Sequence, residues 1–493
     1  MTIITAIGIG VTFVVATCTT VLGQEAGYYD SFEQGIPNYF VASRADSLSV
    51  SPEHYKHGVS SLRWDWQAGE EVVIRHGIGD LTRRSGMGAR PCFSVWLYME
   101  EPMAGELIFE FREGDTATGS FRFPLQFTGW RQGRPYYHAF PHGQPTPEVD
   151  NIRIMAPADI PQGTVFIDFI KYNTLTYGGN IVVPERTMQW QRPELDQQRF
   201  PRPDVVTDEQ LAGIRKLMGS DEGTGVEQAS VDQLCEQVEE LGIVRGEYGT
   251  RGPGIDAHLQ FFPSLHEAAA LGLKTSYWSD EHGLGWEDMQ APGAMSALAL
   301  KVATAYRASN DTEQRQRLAE AYLLLADHLY DQALQAGSGF QWNWWYGGEW
   351  ADSVFLMRDL LAQEGRLQGH VDYQMYTWGT GALVGDENPP SHMDFYNLTV
   401  PRMLKQCLMQ VEPAEQVRWL DAFKSMLQRS IMQPISAFKI DGSTFHHKAH
   451  YPAYATGAFA SLSKLLVDLR DTPWAIDAET HERVRRAALA QRL

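Results

Sequence analysis

The hydrophobic pattern of the chain changes its period near residue 200, and this change constrains the fold more than any other feature. From about residue 25 to 180, apolar and polar residues alternate with a period of two, which is typical of β-strands. The strand-like runs are rich in β-branched and aromatic residues and lie at 93–98, 107–111, 121–123 and 165–170. Many short strands without helical stretches predict a jelly-roll-like β-sandwich over residues 24–180.

Residues 181–205 contain four prolines and little periodicity, so we interpret them as a linker. After them the period becomes helical. Thr207 and Gln210 have the spacing of a capping box, and Asp311 and Pro413 mark two further helix starts. Helix pairs joined by long loops predict an α/α toroid over residues 206–493.

The first residues of the chain predict export. Residues 3–16 are apolar and uncharged, and they are too short for a stable membrane span. We therefore interpret residues 1–23 as a signal peptide and expect a secreted or periplasmic protein with no membrane partner. The widely spaced Cys92, Cys235 and Cys407 resemble neither a disulfide framework nor a metal site, so we expect buried thiols.

The formal net charge of −20 argues against a nucleic-acid partner, because such a partner requires a basic surface. The same charge is unfavourable for a polyanionic substrate, although the field inside a cleft can differ from that of the whole protein. The 14 tryptophans suggest that some indole rings stack on sugars, while most fill cores.

Residues 342–350 hold four tryptophans and a tyrosine within nine positions, broken by two glycines. This composition is poor for a helix interior and suits a loop that presents Trp344 and Trp345 to sugar rings. The amide of Asn343 could donate hydrogen bonds to a carboxylate. An aromatic core cluster is the alternative interpretation.

Two later segments carry polar chemistry. Residues 391–397 precede a helix, and Asp394 could serve there only as an N-cap. Residues 441–454 follow a turn, precede a helix and contain three histidines and two tyrosines, which suggests proton transfer. A metal site is the alternative, since His446 and His450 have i,i+4 spacing. However, Pro452 disfavours a regular helix there, and no glutamate lies between the two histidines.

These segments resemble the catalytic loops of polysaccharide lyase family 8, especially its chondroitin ABC branch. The run 441–454, with seven residues from His447 to Tyr454, is the most specific part of the resemblance. The other similar stretches are 343–345, which matches an Asn-Trp-Trp signature, 469–473 after the histidine run, and 32–34 with 60–64 in the sandwich.

The resemblance implies β-elimination of a uronic-acid polysaccharide, namely a glycosaminoglycan such as chondroitin or dermatan sulfate. In that reaction His447 would accept the C5 proton, Tyr454 would protonate the leaving oxygen, and Asn343 would bind the uronate carboxylate. The residues expected to bind substrate are Trp344, Trp345, Asp394, Asn397, His446 and His450.

The resemblance also points to a structural divalent cation such as Ca²⁺ in the sandwich. Its carboxylate ligands would be Glu33 and Asp168, which lie on the first and last strands. Backbone oxygens of Ser31, Ser60 and Arg63 would complete the shell, whereas Glu33 and Asp168 as solvated strand ends is the alternative. We expect no organic cofactor.

Family members continue for hundreds of residues beyond the part that resembles this chain, so we expect the toroid of residues 206–493 to be incomplete at its C-terminal end. In those members the remainder supplies an arginine and a glutamate to the active site. We therefore expect these two residues to be absent or to come from a separate C-terminal half. Two functions remain open from the sequence. One is an active glycosaminoglycan lyase, and the other is a catalytically weak or inactive glycan-binding remnant.

Overall fold

The computed structural model describes residues 29–75, 93–133, 149–171, 194–219, 223–254, 292–333, 348–377, 381–385, 389–446, 449–450 and 452–491. The signal-peptide prediction for residues 1–23 and the first part of the predicted linker lie outside this range. Among the described helices, none has the length and apolar content needed to cross a membrane.

The N-terminal part consists of antiparallel strands in two sheets. The strands are β1 (Tyr29–Asp30), β2 (Phe40–Ala42), β3 (Leu48–Ser51), β4 (Ser61–Gln67), β5 (Glu71–Ile74), β6 (Ser94–Met99), β7 (Glu106–Glu113), β8 (Thr116–Pro124), β9 (Gly129–Gly133), β10 (Asn151–Met155) and β11 (Gln162–Lys171). One sheet has the order β3-β4-β11-β6-β9, with β1 also paired to β11, and the other has the order β2-β5-β10-β7-β8.

The core of the sandwich comes from alternate residues of both sheets. Leu62, Trp64 and Trp66 of β4 are buried in one cluster with Phe109 and Phe111 of β7 from the other sheet. This alternation is the period of two in the sequence, because successive side chains of a strand point to opposite faces. The predicted sandwich is therefore confirmed.

The C-terminal part is helical. Its helices are α1 (Asp208–Met218), α2 (Gln228–Glu239), α3 (Pro292–Ala308), α4 (Thr312–Asp331), α5 (Gly348–Leu356), α6 (Arg358–Gln363), α7 (Leu367–Thr377), α8 (Gly381–Val384), a π-helix (Phe395–Thr399), α9 (Val400–Leu408), α10 (Pro413–Met432), α11 (Pro452–Leu469) and α12 (Ala478–Ala490). Two short hairpins join them, formed by β12 (Val244–Arg245) with β13 (Thr250–Arg251) and by β14 (Phe445–His446) with β15 (Ala449–His450).

The helix starts agree with the sequence signals. Thr207 and Gln210 form both hydrogen bonds of a capping box at α1. The Asp311 side chain accepts a hydrogen bond from the backbone of Gln314 at α4, and Pro413 is the first residue of α10. The predicted fold class, a β-sandwich followed by a helical α/α domain, is confirmed.

The cysteines of the helical part lie in its core. Cys235 is a buried thiol on α2, and Cys407 is fully buried on α9. Burial raises the pKa of the Cys235 thiol, which disfavours the reactive thiolate. Cys92 lies outside the described residues, so its buried state stays a prediction.

A buried lysine joins the sandwich to the helical part. Lys56 has no exposed surface, and its Nζ donates to the backbone oxygen of Gln332 at 2.6 Å and to Gln332 Oε1 at 3.0 Å. The same ammonium lies 3.9 Å from the ring centre of Trp96. Gln332 follows the last residue of α4, where carbonyl groups and the helix dipole favour a positive charge. The loop that carries Lys56 therefore holds the C-terminal end of α4 against the sandwich.

We predict that Lys56→Met lowers the free energy of unfolding by about 1–3 kcal/mol, because it leaves buried Gln332 oxygens without their donor. Urea unfolding followed by tryptophan fluorescence measures the change. The control is Lys464→Met on the exposed side of α11, which should change stability by less than about 0.5 kcal/mol. Equal stability of Lys56→Met and the control would show that the Lys56–Gln332 contact does not stabilise the fold.

Candidate active site

The histidine-rich segment folds as the β14–β15 hairpin directly before α11. Phe445 pairs with His450, and His446 pairs with Ala449. Opposed residues of an antiparallel pair share a face and neighbours alternate, so His446 and His450 point to opposite faces. The metal alternative that paired these two histidines is therefore wrong.

Tyr454 lies in the first turn of α11 with its ring stacked on His446. The two ring centres are 4.5 Å apart, and the ring planes differ by 17°. Tyr454 is 41% exposed, whereas His446 is only 2% exposed. The buried imidazole therefore supports a phenol that reaches solvent. In this arrangement His446 is too buried to contact a sugar directly.

His446 also faces the segment that precedes the π-helix. Its Nε2 lies 3.5 Å from Asp394 Oδ2, and its ring centre lies 6.2 Å from that of His392. One possible ligand atom from each of His392, Asp394 and His446 lies within 4.8 Å of the others. Two imidazoles and a carboxylate are donor types that divalent transition metals accept. These three side chains could therefore hold a metal ion as well as an ion pair.

The local backbone explains why Asp394 turns inward. Asp394 occupies the N-cap position of the π-helix, but its side chain makes no capping hydrogen bond. The backbone N–H of Phe395 donates instead to His392 Nδ1 at 3.2 Å. The N-cap interpretation of Asp394 is therefore wrong, and its carboxylate is directed to His446.

Asn397 connects the π-helix to α11. Its Oδ1 accepts a hydrogen bond from Ser461 Oγ at 2.7 Å. Gly457 lies opposite, where a Cβ atom would be 3.1 Å from Asn397 Nδ2, closer than nearly all real contacts. The absence of a side chain at residue 457 lets the π-helix pack closely on the helix that carries Tyr454.

A buried tyrosine fixes the other side of the same segment. The Tyr396 hydroxyl lies 2.8 Å from Ser391 Oγ and 2.7 Å from Ser430 Oγ of α10. Burial raises the pKa of Tyr396 to about 12, so the phenol remains protonated. Its role is to fix the position of residues 391–397 rather than to transfer protons.

The structure places part of the predicted site. Tyr454, His446, Asp394 and Asn397 lie together around the start of α11, while His450 faces away and is exposed. The residues that lie outside the described part of the chain are Asn343, Trp344, Trp345 and His447, so their convergence with Tyr454 stays a prediction. His392, two positions before Asp394, was not predicted as a site residue.

The predicted cation ligands Glu33 and Asp168 both bind the loop at residues 56–60. Glu33 Oε1 accepts the backbone N–H groups of Val59 and Ser60, both at 3.0 Å. Asp168 Oδ2 accepts the backbone N–H groups of residues 56 and 57 at 2.7 and 2.9 Å. Gly58 is required between them, since it has a φ of +66° and its Cβ would lie 2.3 Å from the Glu33 carboxyl carbon.

The charge of this pair is partly unfavourable. Burial raises the pKa of Asp168 well above its usual range, the Glu33 charge raises it further, and three backbone N–H groups oppose the shift. A cation near both carboxylates would relieve their repulsion. Ser31 is buried at this place, whereas Arg63 sits within β4 and pairs with both Ser49 and Phe166, which uses its backbone in the sheet. Glu33 and Asp168 thus fit a cation better than Arg63 does.

Two family models match the chain. The one described as "Lyase, N terminal" matches residues 28–177, and the one described as "Lyase, catalytic" matches residues 274–493. The first range corresponds to the sandwich, and the second contains the Tyr454 cluster.

Curated relatives agree with these models. A chondroitin sulfate ABC exolyase of Proteus vulgaris is 26% identical over 501 residues, which cover 94% of this chain and 49% of that protein. A chondroitin sulfate ABC endolyase of the same organism is 23% identical, and the alignment covers 92% of this chain and 48% of that protein. The corresponding exolyase of Bacteroides thetaiotaomicron is 24% identical, and the alignment covers 94% of this chain and 47% of that protein. The chain spans about half the length of these relatives.

Solved structures are more distant. A chondroitin AC lyase of Streptomyces coelicolor A3 in complex with chondroitin sulphate has a TM-score of 0.38 and 14% identity, covering 57% of this chain and 36% of that one. A family 22 carbohydrate-binding module of Clostridium thermocellum Xyn10B has a TM-score of 0.21 and 15% identity. This match covers 32% of this chain and 99% of that one.

We predict that Tyr396→Phe lowers the free energy of unfolding by about 1 kcal/mol, since the hydroxyls of Ser391 and Ser430 each lose one hydrogen-bond partner. Urea unfolding measures this change. Tyr248→Phe is the matched control, because Tyr248 is 37% exposed and should tolerate the loss of its hydroxyl. An unchanged stability of Tyr396→Phe would show that the serine contacts contribute little.

Proposed function

We propose that this chain, which belongs to the chondroitin ABC lyase-like polysaccharide lyases, cleaves a uronic-acid glycosaminoglycan by β-elimination. Chondroitin and dermatan sulfates are the substrates that we propose. The observation that carries the proposal is the exposed phenol of Tyr454, stacked on buried His446 inside the region that matches the catalytic family model.

The reaction needs a base and an acid beside one sugar ring. The C5 proton of a uronate is weakly acidic, because the neighbouring carboxylate is already charged. A base must remove that proton while the C4–O bond breaks, and an acid must protonate the leaving oxygen. In our proposal His447 takes the C5 proton and the Tyr454 hydroxyl delivers a proton to the leaving oxygen. Asn343 hydrogen-bonds the carboxylate as charge moves onto it.

The buried groups around Tyr454 support this role without touching the substrate. The His446 ring fixes the plane of the Tyr454 ring, and Asp394 Oδ2 lies 3.5 Å from the Nε2 of that imidazole. Ser461 and Asn397 hold the π-helix against α11. An acid that is already oriented loses little freedom when it enters the transition state. We therefore assign His446 and Asp394 as positioning residues.

An extracellular polysaccharide requires an exported enzyme. We propose that residues 1–23 act as the signal peptide and that the protein is secreted or periplasmic. The apolar, uncharged stretch at residues 3–16 supports this proposal.

We predict that Tyr454→Phe and His447→Ala each reduce lyase activity by about 10²–10⁴-fold, the usual contribution of a general acid or base. Phenylalanine retains the ring that stacks on His446 and removes only the hydroxyl. The measurement is the absorbance of the unsaturated uronate formed from chondroitin sulfate. Trp344→Ala should instead weaken glycan binding through lost stacking on the sugar face.

The controls for this experiment are Tyr248→Phe and His481→Ala, which change exposed residues elsewhere in the helical part. Full activity of Tyr454→Phe would overturn the proposed acid. If the unaltered chain is inert but binds chondroitin sulfate, the binding-only alternative holds. Adding a separately expressed C-terminal half of a relative would then test whether groups from that half are required.

We also propose a divalent cation such as Ca²⁺ at Glu33 and Asp168. The support is the closeness of two carboxylates that bind the same loop and the effect of Glu33 on Asp168. Oxygen ligands of this kind suit a hard cation. Bound there, the cation would stabilise the loop that carries Lys56.

We predict that a chelator lowers the thermal unfolding temperature of the full chain and that Ca²⁺ restores it. Glu33→Gln should abolish this response, since glutamine keeps an oxygen for the Val59 and Ser60 amides but removes the charge. Glu113→Gln, on an exposed strand end, serves as the control. An identical melting curve with and without chelator would exclude the cation.

A further inference from the structure

An open cleft lies between the sandwich and the helical part, away from the cluster around Tyr454. Its volume is about 480 Å³, which is within the range of small-molecule sites. Tyr98 and Gly129 line it from the sandwich, and the last turn of α4 and the start of α7 line it from the helical side. It shares none of its lining residues with the candidate active site.

Most side chains that line this cleft are of polar or ionisable types. Its 15 residues include five ionisable Asp, Glu and Arg side chains, five glycines and two threonines, and the other three are Tyr98, Tyr330 and His370. Aliphatic side chains are absent from this set. These residue types can bind a ligand that carries both hydroxyl or charged groups and apolar ring faces.

Two arginines on one side of the cleft share a single carboxylate. Asp327 Oδ1 pairs with Arg366, and Asp327 Oδ2 pairs with Arg245. The two arginine side chains are 32% and 45% exposed, so their remaining N–H groups reach the cleft or solvent. Guanidinium N–H groups that are not used in the pairing with Asp327 can bind a carboxylate or sulfate group of a ligand.

The inner end of the cleft is lined by buried titratable groups. His370 is only 3% exposed, and its Nδ1 has no hydrogen-bond partner among the described residues. Burial lowers the pKa of His370 to about 4, so the ring is neutral, and its Nδ1 is enclosed by protein. Asp331 Oδ1 accepts from the Tyr98 hydroxyl at 3.0 Å, and burial raises the pKa of Asp331 to about 7.

Glycines create the space for these groups. A Cβ at Gly129 would lie 2.9 Å from the Asp331 backbone oxygen, and one at Gly249 would lie 2.3 Å from the Tyr98 hydroxyl oxygen. Side chains at these positions would therefore collide with the surrounding residues. Gly369 differs from them, because the three atoms nearest to its Cβ would all belong to Tyr330, at 3.5 Å or more, which is an ordinary contact. The cleft can thus be filled selectively from residue 369.

We propose that this cleft is a second saccharide-binding site, which holds one or two sugar rings of an acidic glycan at a distance from the cleaved bond. In this proposal the acidic substituent of the glycan binds Arg245 and Arg366. This proposal goes beyond the lyase reaction and does not depend on catalysis. A chain that holds its polymer at two places would release it less readily between cleavage events.

The test uses the Tyr454→Phe chain, so that the probe is not consumed. Calorimetric titration with a chondroitin sulfate tetrasaccharide should show two sites per chain. Gly369→Leu fills the cleft and should reduce the number to one, whereas Gly369→Ala should keep both sites. Thermal unfolding of all three variants checks that each is folded.

A second pair of variants tests the charge. Arg366→Gln should weaken cleft binding by tenfold or more, while Arg485→Gln, which removes an exposed arginine paired with Glu482 on α12, should leave it unchanged. An unchanged number of sites in Gly369→Leu would overturn the proposal. Competition by sodium sulfate as strong as by the tetrasaccharide would also overturn it, since the site would then bind anions alone.

These outcomes separate the two proposals. If Gly369→Leu loses one binding site and the unaltered chain has no lyase activity, the proposal for the cleft stands and the proposed lyase function fails. If the unaltered chain is an active lyase and Gly369→Leu binds the tetrasaccharide identically, the lyase function stands and the proposal for the cleft fails.

Discussion

The buried ammonium of Lys56 is the constraint on which the relation of the two halves depends. An ammonium without access to water needs acceptors, and Gln332 at the end of α4 supplies two of them. Satisfying this requirement brings α4 to the sandwich, so that Asp331 meets Tyr98. The cleft beside Asp331 is what remains where the two surfaces do not meet.

In the candidate active site, too, contacts between buried polar groups fix the position of neighbouring elements. Its exposed phenol, Tyr454, rests on buried His446, which in turn faces Asp394. Tyr396 and Asn397 then fix the segment of Asp394 through hydroxyl contacts with neighbouring helices. These contacts of His446, Asp394, Tyr396 and Asn397 therefore fix the position of the Tyr454 side chain. A side chain fixed in this way suits proton transfer, because the reaction depends on a precise approach of donor and acceptor.

Several elements could be predicted from local signals. The alternation around Phe109 and Ile167 identified sandwich strands, since a strand buried on one face must alternate. The Thr207 capping box and Pro413 identified helix starts, because both act within one turn. The role of Asp394 was misjudged for the complementary reason. Its position before a helix suggested a cap, but a tertiary contact with His446 took its carboxylate away from the backbone.

The sequence by itself determined the two hydrophobic periods of the chain, the order of its domains and the residue types available for elimination chemistry. These features depend on neighbours within a few positions. Only the tertiary structure decided which of them meet. His392 joined His446 across more than fifty residues, while His450, four positions from His446, was turned to the opposite face by the hairpin register. The cleft between Arg366 and Tyr98 likewise has no trace in any single segment, since its walls come from chain regions that only packing brings together.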